Sequence, residues 1–461
     1  MKTKKIKLKP RTISLICLII FLPVLWILIL RLEGEKPSII LESFSPFIGS
    51  SFDLSVSLAD SKSGLKRVWI GILRKGKEVV LLDRDYPYSV TGTGKINKDS
   101  FNIKIEPEKI GITDGRAVFR MVVWDYSWRG WFHGNRTYLE KDINIDTKPP
   151  ELEVLSMSHN INQGGAGLVI YRISEPCRRS GAYVGGTFFP GFSGYFKDTN
   201  LLMAFFALSH LQGPGVEIFI KAVDNAENMA RAGFLHYINK RKFKNDVIKI
   251  SDRFLNWKMP EFAVPAQQKS KISMLDRFLE VNRKLRKENF KIIKEIAKKS
   301  ENVLYWDGAF SRLPNSARRA GFGDRREYKY KARIIDHQVH LGIDLASIAH
   351  SPVPASNRGK ILFAGPLGIY GKTVIIDHGF GLMSMYSHLN GFNVKKNQLV
   401  SRDDIIGSTG TTGLAGGDHL HFGILVHNTF VNPIEWWDAA WIKNNITNKI
   451  DMIRSDRASS Q

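Results

Sequence analysis

From Thr12 to Leu30 the chain runs TISLICLIIFLPVLWILIL without a single charge. Coiled as a helix rising about 1.5 Å per residue, a stretch of that length spans a hydrocarbon core of about 30 Å. Just before it lie Lys2, Lys4, Lys5, Lys7, Lys9 and Arg11. Such a basic flank stays in the cytoplasm and sends the downstream chain across the membrane. Pro23 is tolerated inside a membrane helix. A cleaved signal peptide would have a shorter apolar region, and no small-x-small site follows Leu30. The sequence therefore predicts an uncleaved single-pass anchor in the cytoplasmic membrane. The N-terminus would be cytoplasmic and the remainder periplasmic or extracellular.

That placement narrows what the charge can mean. The 461 residues carry a formal net charge of +23, which favours anionic lipid, acidic wall polymer or nucleic acid. Nucleic acid drops out once the bulk of the chain lies outside the cytoplasm. Cys17 lies in the apolar run and Cys177 far downstream. The membrane boundary separates them, so no disulfide is expected, and neither belongs to a metal-type cluster.

The remaining length suggests about three domains. From Pro37 to Ile238, short runs rich in Val, Ile and Phe alternate with Gly, Asp, Asn and Ser turns, a β texture. A weak repeat runs through it. Ser63-Gly64-Leu65-Lys66-Arg67-Val68 is echoed by Ser180-Gly181-Ala182-Tyr183-Val184, and Val118 to Asp125 by Val216 to Asp224. The repeat spacing of about 100 residues suits β-sandwiches. Asp146-Thr147-Lys148-Pro149-Pro150 reads as the linker between them. With the turn Asp224-Asn225-Ala226, the units resemble bacterial immunoglobulin-like repeats. That resemblance implies spacers or binding modules, with envelope proteins as partners. From Ile272 to Ala297 the period becomes helical, with Leu275, Phe278, Leu279, Leu285, Ile293 and Ile296 on one side. Its many lysines and arginines read as a solvated face.

Eight of the 12 histidines fall between His337 and His427. Taken as an extended strand, His340-Leu341-Gly342-Ile343-Asp344 puts His340, Gly342 and Asp344 on one face. Asp418-His419-Leu420-His421-Phe422-Gly423 likewise puts His419, His421 and Gly423 on one face and apolar residues on the other. Gly342 leaves the space between two candidate ligands open. Imidazole nitrogen and carboxylate oxygen suit zinc, and three such ligands plus water make a catalytic site. A further histidine is then wanted to take the proton of the water. His388, in Tyr386-Ser387-His388-Leu389, and one of the paired histidines suit that work.

The order His-x-Gly-x-Asp, Ile-Ile-Asp-His-Gly, Tyr-Ser-His-Leu, His-Leu-His-Phe resembles the lysostaphin/LytM-like zinc endopeptidases, over Asp324 to Trp437. The resemblance implies His340, Asp344 and His421 as zinc ligands and His388 and His419 as the catalytic pair. It also implies a mainly antiparallel β-fold with the metal at the floor of a groove. Its substrate would be the peptide of peptidoglycan, hydrolysed by a zinc-activated water. His337 competes with His340 for the first ligand position but shares no face with Asp344. His378 is read as a turn residue, and His350 and His427 have no supporting pattern. Gly371-Lys372-Thr373 fits a phosphate loop poorly in spacing. Gly410, Gly413, Gly416 and Gly417 read as a loop that lets substrate backbone approach.

The expected architecture is mainly β. It comprises a basic segment with a transmembrane anchor (1–36), Ig-like sandwiches (37–147 and 148–245) and a helical connector (246–302). An antiparallel β zinc-peptidase domain (303–443) and a polar, frayed tail (444–461) complete it. The function expected is a membrane-anchored peptidoglycan endopeptidase. The alternatives are a non-catalytic activator of other wall hydrolases and a wall-binding adhesion module.

Overall fold

The computed structural model describes residues 10–89, 94–262 and 272–458. The lysines expected to hold the N-terminus in the cytoplasm lie outside the described residues, as does 263–271 of the connector. The apolar run forms a helix, Pro10–Arg31, with Pro23 inside it. Its side chains are described without a break over 14–29, a rise of about 24 Å. Among the described residues, no helix is long and apolar enough to cross a membrane.

The chain divides into two compact units, Met1–Pro149 with Val223–Asn228, and Pro150–Ala222 with Met229–Gln461. In the first, strands Ser38–Leu41, Phe52–Ala59 and Lys98–Ile105 form one antiparallel sheet. A five-stranded sheet is ordered Phe47–Ile48, Arg136–Ile145, Gly115–Asp125, Leu65–Arg74, Lys77–Asp85. Alternation dictates which residues meet: Leu54, Val56 and Leu58 point in from one sheet, and Ala117, Phe119, Met121 and Val123 from the other. In the second sheet Val68, Ile70 and Ile72 face Val123, Met121 and Phe119 directly. One core joins the two sheets.

The second unit begins with a three-stranded sheet, Leu152–Val154, Ala166–Ile173 and Leu201–Ala207. A four-stranded sheet follows, ordered Thr187–Pro190, Cys177–Val184, Ile218–Asp224, Met229–Gly233. Every residue of Leu201–Ala207 is buried. The Phe205 ring lies 6.5 Å from Trp306 and 6.4 Å from Trp436, so this strand is covered on its outer side by the C-terminal part of the chain. A single core runs through both parts. A strand with apolar side chains on both faces must be covered on both, so the core crosses the boundary expected at residue 245.

The connector is not wholly helical. It opens with a strand, Asn245–Ile250, parallel to Arg325–Tyr330, which pairs in turn with Arg333–Val339. Helix Asp252–Lys258 follows, capped by the Ser251 hydroxyl on Phe254 N. Helices Met274–Glu280 and Arg286–Ala297, joined by a wide turn, bury Phe278, Ile293 and Ile296 as the helical period requires. The tail corrects the expectation of fraying. The chain is helical through Ala458, and Ile446, Ile450 and Ile453 are buried. Their spacing of four and three puts them on one helix face. Buried Lys449 donates to the Leu168 carbonyl at 3.1 Å.

The C-terminal sheet has eight strands. Its path runs Ala317–Ala320, Ile343–Ala346, Leu420–Val426, Leu382–Leu389, Lys372–Gly379, Gly359–Pro366, Leu399–Val400, with Thr429–Val431 beside Leu420–Val426. All pairings in it are antiparallel.

Candidate active site

Strand register brings the first two functional side chains together. Asp344, on Ile343–Ala346, is the direct partner of His421 on Leu420–Val426, and His421 is in turn the partner of Ser387. His388 follows Ser387 and adopts φ 61°, a left-handed conformation at the end of its strand. His419 stands just before Leu420–Val426, bridged to Gly410.

His340 arrives differently from the sequence expectation. His340 and Asp344 do not share a strand: Arg333–Val339 ends before His340 and a new strand starts at Ile343. The chain passes there from the three-stranded sheet to the eight-stranded one. His340 is held by its backbone, N to Asp324 O at 2.9 Å and O from Gly323 N at 2.7 Å. Gly342 lies within the crossing. A Cβ added there would fall 2.6 Å from Cε1 and Nε2 of His421, so the glycine makes room for an imidazole.

His340 Nε2, Asp344 Oδ1 and His421 Nδ1 lie 2.9 Å from one another. All three residues are buried. His340, His388 and His419 each set Nδ1 on a backbone carbonyl, of Gly321, Thr412 and Gly417 respectively, each at 2.8 Å. Those bonds place the proton on Nδ1 and leave each Nε2 with a free lone pair. His421 turns Nδ1 inward instead, and among the described residues its buried Nε2 has no hydrogen-bond partner. Two imidazole nitrogens and a carboxylate oxygen converging with lone pairs forward are a zinc-type donor set, and these residues fit that ion. The His388 ring centre is 4.9 Å from that of His419 and 5.8 Å from that of His421.

The electrostatics separate these groups. Burial alone would raise the Asp344 carboxyl, but His340, His419 and His421 hold it well below the usual range. Burial pushes His421 down to about 4. Burial, reinforced by His419 and His421, holds His388 well below an ordinary imidazole. For His419 burial acts downward, yet the Asp344 carboxylate and the Gly417 carbonyl leave it raised.

Two neighbours escaped the sequence reading. Arg326 Nη2 sits 2.8 Å from Asp344 Oδ2, with side chains 19% and 11% exposed. Tyr370 is buried with its ring centre 5.7 Å from His421, and burial raises its hydroxyl to about 12. Neither lies in a recognisable motif; only the fold brings them to the site. The other histidines are elsewhere. His378 is buried, with Nδ1 on Arg358 O at 2.8 Å and Nε2 on Ser384 Oγ at 2.7 Å. His337 and His350 are exposed, and His427 stacks on Phe192. Gly371 and Gly413, both at positive φ, close the two glycine loops against each other: a Cβ on Gly413 would meet Gly371 N at 2.4 Å.

The site faces a cavity of about 360 Å³. His340, Asp344, Tyr370, His388, His419 and His421 line one side, and Lys249, Phe254, Phe278 and Arg286 of the connector line the other. Fully buried Lys258 ties connector to site loop, with Nζ on Glu261 Oε1 at 2.8 Å and on the Thr411 carbonyl.

Residues 338–433 match the model of Peptidase family M23. The chain is 37% identical over 109 residues to the DD-carboxypeptidase/endopeptidase Mpg of Neisseria meningitidis serogroup B, covering 23% of this chain and 25% of that one. It is 34% identical over 131 residues to the peptidoglycan DD-endopeptidase ShyB of Vibrio cholerae serotype O1, covering 28% of this chain and 30% of that one. The chain thus spans only about a quarter to a third of the length of these curated relatives. Among solved structures, the catalytic domain of lysostaphin from Staphylococcus simulans is similar at 28% identity. That match covers 28% of this chain and 98% of that one, with a TM-score of 0.25. The C-terminal part of the chain is a metallopeptidase domain of family M23.

Proposed function

We propose that this chain, with its family M23 metallopeptidase domain at residues 338–433, is a membrane-anchored zinc endopeptidase that hydrolyses peptide bonds in peptidoglycan. One observation carries the reading: His340 Nε2, Asp344 Oδ1 and His421 Nδ1 converge at 2.9 Å on a cavity that His388 and His419 also line. A zinc ion held by those three atoms would supply Lewis acidity toward a peptide carbonyl and bring water near neutral acidity. The chain's own residues do the rest. His388, neutral and with Nδ1 tied to Thr412, offers Nε2 as the acceptor for the water's proton. His419, oriented by the Gly417 carbonyl and beside His388, is placed to hydrogen-bond the developing oxyanion or to protonate the leaving amine. Arg326 holds Asp344 in place through its second oxygen.

The activities named for the Neisseria and Vibrio relatives support a DD-peptide bond of peptidoglycan as substrate. Membrane attachment is supported by the N-terminal helix, whose Leu15, Ile19, Phe21, Trp26 and Ile29 are all exposed. Catalysis would then take place on the periplasmic or outer side.

The test is the full chain in detergent, incubated with isolated peptidoglycan, with released fragments identified by mass. About one zinc per chain and cleavage at one class of peptide bond are expected. Activity that persists without metal overturns the reading, and so does metal binding with no fragment released, which would make the domain a scaffold.

A further inference from the structure

Far from the histidines in sequence, three acids meet in the first unit. Glu33 lies just past the helix that ends at Arg31, Asp60 follows strand Phe52–Ala59, and Asp125 ends strand Gly115–Asp125. The two strands belong to different sheets, so both sheets and the helix exit contribute. The three residues are 9%, 2% and 0% exposed. One carboxylate oxygen from each lies within 4.8 Å of the others.

Neutral donors hold the cluster and are shared within it. Ser63 Oγ stands 3.0 Å from Glu33 Oε1 and 3.4 Å from Asp60 Oδ1, with one proton for both. Asn135 Nδ2 reaches Glu33 Oε1 at 3.2 Å and Asp125 Oδ2 at 2.9 Å. Backbone amides of Gly64 and Lys62 reach Asp60 Oδ1, and those of Asn135 and Ser127 reach Asp125 Oδ1. Among the described residues, nothing donates a hydrogen bond to the enclosed Asp60 Oδ2. A buried carboxylate oxygen with nothing to accept is costly in itself, and two more carboxylates beside it add repulsion. Burial, and the Asp60 charge with it, raises the Asp125 carboxyl.

A hard cation resolves both problems. Calcium takes oxygen ligands at about 2.3–2.6 Å, so oxygens on opposite sides of one ion stand about 4.6–5.2 Å apart. Three carboxylates gathered within one such diameter offer the oxygen-only donor set that calcium takes. Magnesium gives up its waters reluctantly and seldom sits in an all-protein cage, and zinc favours nitrogen and sulfur. We propose that Glu33, Asp60 and Asp125 bind a calcium ion that locks the exit of the N-terminal helix onto both sheets of the first sandwich. The inference is independent of the peptidase reading.

The experiment uses the full chain in detergent, freed of calcium on a chelating resin and reloaded with zinc. Calorimetric titration should show one calcium per chain with Kd of about 10⁻³ M or tighter. Magnesium should bind at least about tenfold more weakly, and calcium should raise the melting temperature. Asp60→Asn should remove the calcium response, whereas His421→Ala, which alters only the peptidase site, should retain it. Should Asp60→Asn misfold by circular dichroism, the calcium-dependent melting of the unaltered chain and the Asp125→Asn variant decide. No heat and no melting shift at about 10 mM calcium, equal affinity for magnesium, or a response lost with His421→Ala would overturn the proposal.

Discussion

The histidine cluster of the C-terminal sheet and the carboxylate cluster of the first sandwich are both made by residues far apart in sequence, and both are buried. They differ in donors and in surroundings. At His340, Asp344 and His421, two nitrogens and one oxygen meet, and backbone carbonyls turn the neighbouring imidazoles so that Nε2 faces the cavity. At Glu33, Asp60 and Asp125 only oxygens meet, and the surrounding N–H and O–H groups point at the acids. The first arrangement adds oriented imidazoles and opens on a cavity. Donor type thus selects the kind of ion, whereas catalysis needs oriented bases and room for a substrate beside it.

The most severe test of that contrast is His421→Ala. It should remove zinc and all peptide release, read by elemental analysis and fragment mass, and leave calcium-dependent melting unchanged. His388→Ala comes next. It should keep zinc and lower kcat by about 10²–10⁴, which separates binding the metal from using it; loss of zinc in this variant would mean that His388 is itself a ligand. Arg326→Met removes the partner of Asp344 Oδ2 and should weaken zinc binding by about 10–100-fold, measured by competition with a chromogenic chelator. Gly342→Ala forces a methyl against the His421 ring and should cost about 1–3 kcal/mol of stability, with zinc affinity falling alongside; an unchanged variant would show that the crossing has slack. The smallest effect expected is on melting. Withdrawing calcium should lower the first transition by a few degrees, about 2–4 °C per kcal/mol for a unit of this size, and 1,10-phenanthroline should leave that transition where it is.

Much of the C-terminal site is legible in sequence because alternation is a local rule. Leu420–Val426 is one continuous strand, so His421 and Gly423 share a face as their spacing requires. The same rule misleads at His340–Asp344, where the chain changes sheets and only three-dimensional neighbours show it. Arg326 and Tyr370 carry no local signal: one reaches Asp344 from another sheet, and the other sits on a short turn. The tail looks polar by composition, yet its isoleucines at helical spacing find a core to cover.

By itself, then, the sequence determined the donor types, the β texture from Pro37 to Ile238 and the apolar N-terminal helix, since each depends on residues close together along the chain. Tertiary structure alone decided the rest. It set the shared core behind Leu201–Ala207, the connector wall facing the histidines, the Arg326 contact and the meeting of Glu33, Asp60 and Asp125. Each of these joins residues well separated along the chain, Arg326 and Asp344 by 18 positions and the others by more, and no local pattern encodes which strand ends come to lie side by side.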